Sequence, residues 1–118
     1  MRAGVGDTVH PWYKGIHEWQ IEAIGKLPQP IEYVDSVQGN VSYDPKIVWL
    51  KCSEHSKVLW FTYWISTKKT EGKMKWGQGA PMLEEDVLLT LLKDVIRQNL
   101  FSKNFLRELA SQLDGALN

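Results

Sequence analysis

Apolar residues crowd most densely between Lys46 and Thr67, in the stretch KIVWLKCSEHSKVLWFTYWIST. Two runs rich in β-formers, residues 47–52 and 58–66, flank the polar insert SEHSK. That pattern predicts an antiparallel hairpin at the centre of a sheet. In its second arm Val58, Trp60, Thr62 and Trp64 point one way. Leu59, Phe61, Tyr63 and Ile65 point the other, because successive strand side chains alternate. Neither set is polar, so both faces of the hairpin should be covered. C-terminal helices can roof one face. The other needs the N-terminal segment, a second subunit or a ligand.

Upstream, residues 31–37 read as a strand, Gln38-Gly39-Asn40 as a tight turn, residues 41–43 as a short returning strand, and Asp44-Pro45 as a second turn. Leu27-Pro28-Gln29-Pro30 is an extended connector, since two prolines in three residues fit neither helix nor central strand. Residues 12–27 carry two patterns. Ile16, Trp19, Ala23 and Ile24 could share a helix face, whereas His17, Trp19, Ile21 and Ala23 alternate with polar residues as in a strand. Gly15 weakens the helix, and the strand is preferred. Residues 1–11 show little periodicity and are expected as a flexible arm.

After a basic, glycine-punctuated loop at residues 67–79, with a brief edge strand at 73–76, the period changes to that of helices. Pro81 suits a first turn, and Glu84, Glu85 and Asp86 follow at the positive end of the helix dipole. The apolar residues of 83–100 spread over roughly 260° of a wheel, far more than packing on one sheet needs. Ser102 is the expected N-cap of a second helix, whose Phe105, Leu106, Leu109, Ala110, Leu113 and Leu117 form a stripe of about 140°. The chain is therefore expected to be a single α+β domain over residues 1–118. An antiparallel sheet of about four or five strands (residues 16–76) would be covered by two C-terminal helices (82–99 and 103–115).

Composition narrows the function only a little. The 118 residues fit one domain, and the formal net charge is zero. Residues 46–76 carry seven lysines against two acids, while both flanks are acidic. One cysteine, Cys52, excludes an internal disulfide. No run reaches the length of a membrane span or the form of a secretory signal, so a cytoplasmic protein without membrane association is expected.

Candidate chemistry is thin. Cys52 and His55 have the spacing of half a zinc site, but a closed site wants four ligands and no second cysteine exists. The same pair as nucleophile and base lacks a helix N-terminus to lower the thiol pKa. Glu18, Glu22, Glu32 and Asp35 read as a solvated face. No catalytic residue, metal site or cofactor is therefore assigned. Two binding readings remain. The first is a non-catalytic protein-interaction or adaptor domain, a homodimer or the holder of a protein partner, using Trp60, Trp64, Leu89, Leu92 and Ile96. The alternative is a module for RNA or single-stranded DNA, in which Lys68, Lys69, Lys73 and Lys75 contact phosphates and Trp76 stacks on bases.

Overall fold

The computed structural model describes residues 4–118. The elements run β1 (Thr8–Val9), β2 (Trp19–Lys26), β3 (Ile31–Asp35), β4 (Gly39–Lys51), β5 (Val58–Ser66), β6 (Lys75–Trp76), α1 (Glu85–Arg97) and α2 (Lys103–Leu117). The six strands make one antiparallel sheet in the order β1-β2-β4-β5-β6, with β3 also paired to β4. This is the expected α+β arrangement, with strands first and helices last. The added strand, Thr8–Val9, comes from the N-terminal arm and pairs with β2.

β4 is the axis of the sheet. It was expected as two pieces broken at Asp44-Pro45, but it passes straight through them as one strand of 13 residues. The ladder explains why the proline is tolerated. β2 pairs with β4 as far as Lys26↔Lys46, and β3 takes over at Ile31↔Tyr43. The Pro28–Pro30 connector spans the interval, so on that side no strand pairs with β4 there, while β5 pairs with it on the other. The amide of Lys26 and the carbonyl of Ile24 both bond outward, to Asp94 and Gln98 of α1. Polar groups alternate sides along a strand, so Lys46 must aim its amide at β5. The nitrogen of Pro45 then faces the gap, where no acceptor waits for a donor.

The strand reading of β2 holds, with a change of phase. Ile21 faces Leu50 but Ala23 already faces Trp49, so one extra residue is bulged out between them. The bulge puts Ala23 under α1 and returns Ile24 to the opposite face. A simple alternation cannot show this.

Each face of the sheet holds its own core. On one, Val9, Trp19, Ile21, Val48 and Leu50 are buried, with Trp60 and Trp76 packed against them. The N-terminal segment and the curl of β6 cover this side; Trp76 lies 5.0 Å from both Trp60 and Trp64. On the other, Ile47 and Trp49 pack against Leu91 and Val95 of α1. Gly25 lets the helix come this close, since a Cβ there would stand 2.5 Å from Val95 Cγ2.

The chain reaches α1 by crossing this second face. Gly77 lies directly on the ring of Tyr63, where a Cβ would meet ring carbons at 1.9 Å. Further on, the Tyr43 hydroxyl donates to the carbonyl of Met82 and accepts from its amide. Pro81 belongs to this crossing and not to a first helical turn; α1 begins only at Glu85, after an N-cap Glu84 whose side chain makes no capping bond. Ser102 caps α2 as expected, accepting from the Phe105 amide at 3.1 Å.

Candidate interaction surface

Exposed apolar side chains stand on three elements, α1, β5 and α2. The first is α1 itself. Leu91 and Val95 face the sheet, and Asp94 faces the outer edge of β2. At about 100° per residue, Leu88, Leu92, Ile96 and Leu89 fall on the opposite flank, the one toward β5. Leu89 is 52 % exposed and Ile96 46 %. Leu88, Leu89 and Leu92 line a shallow hollow of ≈ 370 Å³ whose rim carries Glu85 and Asp86.

The second surface is the neighbouring part of β5. α1 packs over β2 and β4 and stops there. Leu59 and Phe61, on the face that α1 would have to cover, stay open, Phe61 at 47 %. The third is α2. Phe101 packs edge-on to Trp49 at 5.4 Å and Phe105 stacks on Phe101 at 4.5 Å, which starts the helix at the Trp49 end of the sheet. No residue of α2 is buried, and Leu113 and Leu117 are 54 % and 86 % exposed. The radius of gyration, 16.0 Å, exceeds the ~13.5 Å of a compact chain this long. On this face the sheet is covered by α1, by the crossing chain at 77–82 and by Phe101 just before α2, while Phe105, Leu113 and Leu117 of α2 stay exposed.

A polar anchor fixes α1 in place. The Asp94 carboxylate accepts from the Lys26 amide at 2.9 Å, from Gln98 Nε2 at 2.8 Å and from the Arg97 guanidinium. Burial by itself would raise its pKa, but these three donors outweigh it and hold the carboxyl below its usual range. Gln98 Nε2 also donates to the Ile24 carbonyl at 3.0 Å. Two side chains of the helix thus satisfy main-chain groups on the open edge of β2.

The five residues expected to bind a partner are not brought together. Trp60 and Trp64 lie on the face away from α1, packed with Trp76. Leu89 and Ile96 are exposed on α1 on the other side, with Leu92 between them half-buried against the core. Leu59, Phe61, Phe105, Leu113 and Leu117 are exposed as well and were missed. The sequence showed their apolar character but not which of them α1 would leave open.

The basic loop is divided in the same way. Lys75 pairs with Ile65 and Trp76 with Trp64, on opposite faces. The indole turns inward while Lys69, Lys73 and Lys75 are exposed. Lys68 and Lys69 lie in a single 3₁₀ turn capped by Thr67. The cations and the aromatic ring do not form one platform.

Two further concave regions are larger than the hollow on α1. One, of ≈ 590 Å³, opens at the Pro28–Pro30 break. Along its floor the buried Lys46 ammonium stands 3.0 Å from Asp44 and 4.3 Å from the Trp64 ring centre. The other, of ≈ 640 Å³, has Tyr33, Tyr43 and Tyr63 among its walls, with Met82. Burial raises the Tyr43 pKa more than its bond to Met82 lowers it, so its hydroxyl stays protonated. Near the other hairpin end, the Cys52 amide donates to the His55 carbonyl, and the imidazole packs among Tyr13 and Trp19. Among the described residues no group of three or more His, Cys, Asp or Glu side chains is placed to hold a metal ion. None of the helices in the described residues is long and apolar enough to cross a membrane. No protein-family model, curated protein or solved structure matches the chain.

Proposed function

We propose that this protein is a non-catalytic protein-interaction domain that holds a protein partner by apolar packing. One observation carries the reading: Leu89 and Ile96 of α1, Leu59 and Phe61 of β5, and Phe105, Leu113 and Leu117 of α2 are all large apolar side chains left exposed. Scattered exposed leucines are normal on a protein surface, but a contiguous apolar area marks an interaction site. A helix of 15 residues is only marginally stable alone in water, so α2 gains most from an apolar surface to lie on. Phe61 and Phe105 supply aromatic area, which loses little rotamer freedom on binding. The partner is read through side-chain packing, with the acids and bases around the patch setting orientation.

An apolar dye tests this directly. It should bind the dilute chain and be displaced as the protein is concentrated or meets its partner. A chain that binds no dye at any concentration has no such patch, and the reading fails.

A further inference from the structure

We infer that the partner is a second copy of this chain, joined by reciprocal exchange. The α2 helix of each copy lies parallel to α1 of the other, in the trough between the exposed flank of α1 and the open face of β5. The inference rests on the interaction-domain reading and specifies its occupant.

The first argument concerns what α2 cannot do. The obvious cover for its stripe is its own α1, by folding back as an antiparallel pair. On a helical wheel the apolar flank of α1 is bordered on one side by Asp86, Lys93 and Arg97. The stripe of α2 is bordered on the same-handed side by Lys103, Arg107 and Asp114. When two helices pack antiparallel, borders of the same hand meet across the seam. Folding back would therefore set Lys93 and Arg97 beside Lys103 and Arg107, and Asp86 beside Asp114. Every one of those encounters is between like charges, which is unfavourable. The structure accordingly holds α2 away from α1.

Parallel packing removes the conflict, because borders of opposite hand then meet. With α2 seated beside α1 over β5, Phe105 and Leu109 turn toward α1, and Leu106, Leu113 and Leu117 toward Leu59 and Phe61. Lys103, Arg107 and Asp114 move to the outer rim, in water. The cationic start of α2 then lies at the same end as Glu84, Glu85 and Asp86 of α1. A helix cannot run parallel to its immediate predecessor across a connection as short as residues 98–102, so the parallel partner must come from another molecule.

The second argument is area. A stripe of about 140° on a helix of this length presents ~270 Å². One docked helix with its counter-surface buries roughly 540 Å², below the ~1,000 Å² that a specific interface needs. A two-fold exchange docks two helices and buries roughly 1,100 Å², which reaches it. A two-fold axis that seats one α2 against the partner's α1 seats the other in the same way, so the arrangement closes as a dimer.

Sedimentation equilibrium on the full chain tests this, with Leu89→Asp altering α1 and Leu113→Asp altering α2. Both residues are exposed, so the sheet core should keep its near-ultraviolet circular dichroism. The unmodified chain should be a dimer, and each variant alone should dissociate at least tenfold more readily. A one-to-one mixture of the two variants has one intact α2 facing one intact α1. It should associate more weakly than the unmodified chain but at least tenfold more tightly than either variant alone. A mixture no tighter than its components overturns the exchange, as does a variant that dimerises normally. A monomeric chain that still binds apolar dye also overturns it, while leaving the interaction-domain reading in place. A monomeric chain that binds no dye removes both.

Discussion

Asp94 of α1 and Lys26 of β2, 68 positions apart in sequence, are joined by a hydrogen bond of 2.9 Å from the Lys26 amide to Oδ2. The bond fixes the rotation of α1 about its own axis. With Asp94 held at the edge of β2, Leu91 and Val95 must face the sheet, and Leu88, Leu92 and Ile96 must face β5. The exposed flank is therefore set by a polar contact on the far side of the helix.

Replacing Asp94 with Asn should destabilise the fold by about 1–3 kcal/mol, since a charged acceptor shared by three donors is lost. The same contact gives a pH dependence. The folded-state pKa of Asp94 is lowered, so its contribution is fully present above the ordinary value of 3.8 and is lost as pH falls through the lower folded value. Urea unfolding at neutral pH and near pH 3 should show a smaller acid loss in Asp94→Asn than in the unmodified chain.

Two glycines are required by closeness. Gly25→Ala drives a methyl into Val95 and should cost about 1–3 kcal/mol. Adding Val95→Ala should recover part of that loss, so the two changes should be clearly non-additive in a double-mutant cycle. Gly77→Ala meets the flat ring of Tyr63 and should be the worse of the two. Thermal unfolding of Gly25→Ala, Val95→Ala, their combination and Gly77→Ala ranks them and closes the cycle.

Asp44 and Lys46 form a buried ion pair beside Trp64. Asp44→Ala removes the carboxylate facing a buried ammonium and should cost about 3–5 kcal/mol. The double change Asp44→Leu with Lys46→Met should cost much less, because no charge is then left in the interior. Chemical denaturation of both variants decides it; equal losses would mean that the pair has no special place in this strand.

The separation of Trp76 from the lysines predicts no salt-dependent capture of nucleic acid. A fluorescent single-stranded DNA or RNA oligomer at low salt should show no saturable binding. An affinity that falls steeply with added salt and is lost in Lys69→Ala with Lys73→Ala would contradict the prediction.

The central hairpin, its two faces and the Ser102 cap were all legible, because each is written in neighbouring residues; the turn expected at Gln38-Gly39-Asn40 falls instead on residues 36–38, with Gly39 and Asn40 already paired in β4. What could not be read depends on contacts far along the chain. Pro45 argues for a turn by itself. It sits in a strand only because the Pro28–Pro30 break leaves its nitrogen facing no acceptor. The bulge at Ile21–Ala23 answers to Trp49 and α1, which no local window contains. Trp60 and Leu89 both read as apolar positions with room for a partner, yet they lie on opposite sides of the sheet. The charges flanking the two helices were visible throughout, but they gain meaning only once the exposed flank of α1 is known.

The margins of the sheet carry a last consequence. β1 and β6 are two residues long, and the outer side of β2 is closed by Asp94 and Gln98. The outer edge of β3 and that of β5 from Val58 to Thr62 pair with no strand among the described residues, so main chain is left there that could template another strand. A chain with so much bare hydrocarbon thus also offers two open strand edges to its own kind at high concentration.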